Sequence, residues 1–311
     1  MGRMIDGEWR ASGFGIDQEG RFKRQATTFR DRVRAQDVES GRYRLYVSLA
    51  CPWAHRTLIT RKLLGLESHI PVSVVHWYMA EDGWTFEEGA GVVPDPDGAR
   101  FLREVYLRAR ADFTGRVTVP ILWDHREQTI VNNESREIVR MLNDVFGPEL
   151  ARRDAPTLHP APLHDEIERV IDAIYEPINN GVYRAGFART QAAYDEAVRD
   201  VFAALDHWDQ VLGRQRFTCG DQLTEADIFL FTTLVRFDLV YHYHFKCNHK
   251  RIRDYPNLWD FTRWVYQQPG VRETVDFAHI TQHYFQSHES VNPSRVVPIG
   301  PQIDFDAPTR R

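Results

Sequence analysis

Cys51 stands between a β-prone run, Tyr43-Arg-Leu-Tyr-Val-Ser-Leu-Ala50, and a helical one that opens Cys51-Pro-Trp-Ala-His-Arg56. A cysteine at such a junction faces the positive end of the helix dipole and the free N–H groups of the first turn. Both stabilise the thiolate, the reactive form of sulfur, so the position suits a nucleophile. His55 and Arg56, one turn on, either add positive field or stand as ordinary surface groups. Ala54 occupies the place of the second cysteine in a C-x-x-C pair. No disulfide can close there, and the resolving thiol must come from outside the chain. A buried structural cysteine is the alternative, and the strand before Cys51 and the proline after it speak against that.

Other residue types could also do chemistry. Pro120 interrupts the strand pattern Arg116–Asp124 (RVTVPILWD), which fits an edge or bulge position or a cis Val119–Pro120 bond. Glu134 and Ser135 open a helix, where free N–H groups and a hydroxyl can receive a carboxylate, although such a pair can equally be a plain cap. His242, His244, Cys247 and His249 are zinc-competent types within Tyr241–His249 (YHYHFKCNH). Their spacing matches neither a zinc ribbon nor a C2H2 finger, and His242 and His244 share a face only in a strand. No metal site is expected there, and Cys219 and Cys247 read as structural thiols. Asn133-Glu-Ser135 matches a glycosylation sequon, a coincidence in a chain whose first residues show no secretory signal. There is no Walker A loop, no G-x-G-x-x-G after a strand and no G-x-S-x-G elbow, so nucleotide-dependent and serine-hydrolase chemistry lack support.

These residues must be held by elements. Residues 1–43 are polar, show no sustained period and read as an irregular N-terminal extension. Strand 43–50, a helix from Cys51 to Gly65 and strand Ile70–His76 form a βαβ unit. Pro52 suits the first helical turn and Gly65 the left-handed stop, with Leu58, Ile59, Leu63 and Leu64 on one face. An atypical insert near 77–115 holds a short helix around Ala99–Ala111. Strands 116–124 and 128–131 follow as an antiparallel pair, then a helix over Glu134–Val145. The first domain spans 44–147 and reads β-α-β-(insert)-β-β-α. Residues 148–162 form a proline-rich linker. Helices over Asp165–Glu176, Gln191–Leu212, Thr224–Tyr241 and Asn257–Gln268 make an all-helical domain, 163–286, before an extended tail, 287–311. Thr224-Glu-Ala-Asp227 has capping-box spacing.

The totals agree with this reading. The 311 residues are 42% hydrophobic and 27% charged, enough for a substantial core, and the length suggests two domains. The net charge of −5 and the lack of a polybasic block argue against a nucleic-acid partner. Apolar runs fall well short of the roughly 20 residues that span a bilayer. Three cysteines cannot build a disulfide scaffold, which points to a reducing, cytoplasmic setting.

Ser48-Leu-Ala-Cys-Pro-Trp-Ala-His-Arg56, Val119-Pro120 and Asn133-Glu-Ser135 together resemble a cysteine-type glutathione transferase. The pattern is similar to the glutathionyl-hydroquinone reductases, the Xi class, through Trp84, Gly115–Pro120, Ile178–Phe187 and Leu223–Asp227. The resemblance implies an α/β thioredoxin-like N-terminal domain followed by an all-α glutathione-transferase domain, in a homodimer. It implies that Cys51 is the nucleophile, and that Val119 presents its backbone to glutathione at a cis Pro120. Glu134 and Ser135 would bind the γ-glutamyl end, with Trp84 and Arg116 as further contacts. Tyr183, Tyr241 and Tyr284 would line the hydroquinone pocket. The implied partners are glutathione, as co-substrate rather than resident cofactor, and glutathionyl-hydroquinones. Two other functions compete: an omega-like thioltransferase or dehydroascorbate reductase using the same Cys51, and a non-catalytic scaffold on the same fold.

Overall fold

The computed structural model describes residues 2–13 and 15–311. The chain divides into two compact units, the first comprising Met1–Gly13, Gln25–Pro156 and Thr274–His283, the second Phe14–Arg24, Thr157–Glu273 and Tyr284–Arg311.

The first unit opens with a hairpin, β1 (Gly2–Ile5) and β2 (Glu8–Ala11), paired Gly2 to Ala11. Its turn residues Asp6 and Gly7 both have left-handed φ, 47° and 78°. Asp-Gly is a favoured pair for such a two-residue turn, because its backbone twist matches that of the strands. The sequence reads as irregular here since two four-residue strands give no sustained period, and the Asp-Gly pair is the signal that carries the hairpin.

Then come β3 (Tyr43–Val47), α1 (Pro52–Leu64), β4 (Val72–Val74), α2 (Leu102–Ala109), β5 (Ile121–Asp124), β6 (Thr129–Asn132), α3 (Ser135–Met141) and a short α4 (Gly147–Leu150). The sheet order is β4-β3-β5-β6, with β3 and β4 parallel and the other neighbours antiparallel. This is the thioredoxin-like order expected. Leu45, Tyr46 and Val47 are fully buried in its core with Leu122 and Trp123. The strand expected from Arg116 starts only at Ile121. Pro120 follows a cis bond and has no N–H to give, and Thr118 exchanges hydrogen bonds with the Tyr106 hydroxyl instead of a neighbouring strand. After α3 the chain makes a π-turn, Leu142–Phe146.

The second unit is helical: α5 (His164–Ile174), α6 (Gly181–Gly186), α7 (Gln191–Leu212), α8 (Glu225–Arg236), α9 (His242–His244) and α10 (Pro256–Tyr266). The division between units falls inside α11 (Phe277–Ser287). Two π-turns, Tyr175–Asn179 and Phe237–Tyr241, continue α5 and α8, so the helices expected to reach Glu176 and Tyr241 change hand-hold before their ends. Among the described residues no helix is long and apolar enough to cross a membrane. The tail is less superficial than its prolines suggest. Phe305 is buried against Trp259 and Tyr266, and the Arg311 guanidinium donates to the carbonyls of Leu212 and Asn257.

α8 is buried at every position, so it needs a start that leaves no polar group stranded. Asp227 supplies it. Its carboxylate accepts from the backbone N–H and hydroxyl of both Thr218 and Thr224, at 2.8–3.0 Å. Asp227→Ala removes this acceptor from four buried donors and should cost about 2–4 kcal/mol, read as a lower denaturant midpoint. Asp227→Asn should recover part of the loss, because one oxygen remains.

Candidate functional site

In the first unit the geometry gathers around the start of α1. Cys51 is its N-cap in extended backbone conformation, Pro52 takes the first helical position and Gly65 closes the helix at φ 72°. The Cys51 thiol is partly exposed, and its Sγ lies 3.8 Å from the carbonyl oxygen of Val119, the residue before the cis bond. Cys51, Val119 and Pro120 are therefore brought together. His55 and Arg56 are not surface groups: both are buried. His55 Nε2 is 2.8 Å from the Thr274 hydroxyl, while Arg56 stacks on Trp53 and donates to the Ser135 hydroxyl at 3.3 Å. Arg56 thus ties α1 to the first residue of α3.

Glu134 caps α3, accepting from the Arg136 N–H, and its other oxygen accepts from the Thr27 hydroxyl at 3.3 Å. Ser135 is buried directly after it. Trp84 is buried and stacked on His283, ring centroids 4.9 Å apart. Arg116 is aimed elsewhere: its guanidinium donates to the Gly13 carbonyl at 2.5 Å, and burial together with Arg3 lowers its pKa.

In the second unit the three expected tyrosines meet. The Tyr284 hydroxyl is 2.5 Å from that of Tyr183 and 2.9 Å from that of Tyr241, making one chain of three hydroxyls. Tyr241 and Tyr284 are fully buried, and burial holds both well above the usual phenol pKa of 10; Tyr183, at the end of the chain, is only half-buried. Phe187 and Phe245 wall the cluster, Phe245 stacking on Tyr241 at 5.6 Å. The run Ile178–Phe187 exists to make this fit. Asn179 bonds the Phe229 carbonyl and the Thr233 hydroxyl of α8, holding the π-turn from which α6 starts. Gly186 lets Phe245 approach so closely that a Cβ there would lie 2.1 Å from the ring.

With this geometry in view, comparison with known proteins is direct. The family model of the glutathione S-transferase N-terminal domain matches residues 50–145, and that of the C-terminal domain residues 191–263. Glutathionyl-hydroquinone reductase YqjG of Escherichia coli K12 is 49% identical, over 100% of this chain and 98% of its own. Glutathionyl-hydroquinone reductase PcpF of Sphingobium chlorophenolicum is also 49% identical, over 97% and 96%. Among solved structures, a Xi-class transferase from Natrialba magadii is 54% identical with a TM-score of 0.94, covering 99% of this chain and 96% of that one. The chain belongs to the glutathionyl-hydroquinone reductases, the Xi class of glutathione transferases. It is an enzyme of that family, with the thioredoxin-like and helical domains that the class implies. The glutathione-bound structure of YqjG, which superposes with a TM-score of 0.88, supports glutathione as its ligand.

Sequence reasoning missed some residues of this Xi-class chain that the structure draws to the same places. His288 lies one turn beyond Tyr284, edge-on to it at 5.3 Å, and its Nδ1 is 3.2 Å from His244 Nε2. Its i+4 spacing from Tyr284 was a usable signal. His244 therefore belongs with the aromatic cluster, whereas His249 packs on Phe202 and Cys247 is a fully buried thiol whose pKa burial raises. Among the described residues the metal-competent atoms that do converge, within 4.8 Å, are those of His159, Glu168 and Glu225. The two hydrogen bonds at Tyr284 separate its role from that of Tyr183. Tyr284→Phe removes the hydroxyl that bonds both Tyr183 and Tyr241 and should cost about 1–3 kcal/mol by chemical denaturation. Tyr183→Phe, at the half-exposed end, should cost less than about 1 kcal/mol.

Proposed function

We propose that this protein reduces glutathionyl-hydroquinones to hydroquinones at the expense of glutathione. The chain of hydroxyls from Tyr183 through Tyr284 to Tyr241 carries the reading, because disulfide exchange has no use for buried phenols whereas a hydroquinone needs partners for its oxygens. Cys51 is the nucleophile. In the keto tautomer of the substrate the carbon bearing sulfur already holds a proton. Cys51 thiolate attacks the glutathionyl sulfur, the S–S bond forms and the S–C bond breaks. The bonding pair passes into the ring, which regains aromaticity as a phenolate, and a tyrosine O–H supports that developing charge. A second glutathione thiolate then attacks the mixed disulfide, releasing glutathione disulfide and restoring Cys51. The thioether sulfur of the substrate and the sulfur of one glutathione thiol are oxidised to a disulfide while one aryl carbon is reduced, so the electrons balance.

In this reading the backbone of Val119 pairs with the cysteinyl part of glutathione, Glu134 and Ser135 hold its γ-glutamyl end, and Trp84 borders it. The Gly13 contact makes Arg116 the weakest member of that set. Glutathione comes and goes as co-substrate, and the enzyme acts as a homodimer in the cytoplasm. A thioltransferase remains the competing reaction, since a relative 47% identical over 91% of this chain, from Schizosaccharomyces pombe, is named an omega-like glutathione S-transferase.

Mixing the protein with glutathione and a glutathionyl-hydroquinone should release hydroquinone, and Cys51→Ala should abolish the release. Tyr284→Phe should slow it by about 10²-fold while leaving disulfide exchange within a few-fold. Equal loss of both activities would sink the tyrosine assignment. Because Tyr241 and Tyr284 titrate above 10, both stay protonated, as donors, at lower pH. The ratio of wild-type to Tyr284→Phe rates should therefore be flat from roughly pH 6 to 9.

A further inference from the structure

The stretch between β4 and α2 is held by isolated strand bridges and, between them, by side chains from elsewhere in the first unit. Its carbonyls are taken in turn. The Trp9 indole of β2 donates to Glu81 at 2.9 Å, and the Arg103 guanidinium of α2 to Asp82 at 2.5 Å. Two buried histidines of α11 take the others: His279 Nε2 donates to Ala90 at 2.6 Å and His283 Nδ1 to Trp77 at 2.8 Å. A carbonyl oxygen only accepts, so each of these ring nitrogens carries a proton. The two histidines stand four residues apart on one helix, which puts them on the same side.

His283 does something that the other three do not. Its ring also lies on the indole of Trp84, centroids 4.9 Å apart and planes inclined by 24°. The backbone around Trp84 is fixed independently. Its carbonyl accepts from the Leu102 N–H at 3.0 Å, and the next carbonyl, that of Thr85, from the His76 N–H at 2.8 Å. Gly83, at φ 78°, packs on the Trp9 ring, where a Cβ would lie 2.9 Å away. What remains is the pair of side-chain torsions that aims the indole. The hydrogen bond to Trp77 sets the plane of the imidazole, and the stack passes that plane on to Trp84.

We propose that His283 is a positioning residue for glutathione: it holds the Trp84 indole in the orientation that meets the bound tripeptide. The inference rests on the reading that Trp84 borders glutathione, and its test separates the two. An indole left to rotate must be ordered anew by each incoming ligand, which weakens binding by about three- to tenfold. A stack on a fixed ring removes that loss ahead of binding.

The affinity of the full-length protein for glutathione, measured by calorimetric titration under reducing conditions, reads the role. Trp84→Ala should weaken binding about tenfold and His283→Ala about three- to tenfold, and the two losses should not add, because His283 acts through Trp84. His283→Phe, which keeps a ring against the indole, should recover most of the affinity. His283→Asn, which keeps an N–H for the Trp77 carbonyl but no ring, should not. Each of these two keeps half of what the histidine does, so their comparison holds even where His283→Ala unfolds. His279→Ala removes a carbonyl partner of the same kind from the same helix and should change affinity by less than about twofold. Additive losses, equal recovery by Phe and Asn, or an equal loss in His279→Ala overturn the proposal and leave Trp84 as a glutathione contact. Affinity untouched by Trp84→Ala removes Trp84 from the glutathione site, which overturns that reading and the proposal with it.

Discussion

Cys51 stands at the cap of α1 with its sulfur beside the Val119 carbonyl, and that arrangement holds only while α1 cannot shift. A helix buried on one stripe could slide or roll on its sheet, but α1 has polar side chains buried as well. His55 reaches the half-buried Thr274 hydroxyl and Arg56 the buried Ser135 hydroxyl, so a small displacement would break a hydrogen bond made by a buried side chain. Arg56 has a double effect, because the residue it grips opens α3, whose cap is Glu134. The two helix starts that frame the first unit's site are therefore set by one guanidinium. The short Ile121–Asp124 strand and the Thr118–Tyr106 exchange complete the frame, leaving the Val119 backbone carbonyl turned to the thiol.

The second unit solves a different problem, which is to bury three phenolic hydroxyls without stranding any of them. Tyr284 stands in the middle and serves both neighbours, and only the end of the chain, Tyr183, is half-exposed. Phe187 and Phe245 wall most of the cluster with apolar rings, and His288 stands edge-on to Tyr284. Such a dry wall strengthens hydrogen bonds to a bound oxygen and makes a missing one costly. The same physics that raises the proton affinity of Tyr241 and Tyr284 keeps them as donors.

Much of this was legible in the residues. Pro52 after Cys51 and Gly65 at the far end mark α1 almost to the residue, and α7 runs over the span its periodicity indicates. The tyrosines' convergence could be read only through resemblance, since 101 positions separate Tyr183 from Tyr284 and no local pattern encodes a contact at that range. Burial of His55 and Arg56 was illegible for a related reason. Their types favour the surface, and only tertiary partners such as Thr274 and Ser135 make the interior tolerable. The hairpin at Gly2–Ala11 and the docking of Phe14–Arg24 were hidden by shortness, because four-residue strands and a single Asx turn, Asp17 onto the Glu19 and Arg21 N–H groups, leave almost no periodic trace.

The π-turn Phe237–Tyr241 bears on how such a site can arise. A π-turn is an α-helix with one residue added, and each residue in a helix turns its successors by about 100°. Spread over the wider turn Phe237–Tyr241, the added residue is absorbed with almost the rotation that a regular helix would have made without it, so the chain beyond stays in phase with α8. One codon's insertion or deletion is therefore taken up at this turn with α8, its cap and the direction of the Tyr241 ring kept. A fold with an unremarkable helix here would lie a single indel from this one, and the hydroxyl chain would survive the step.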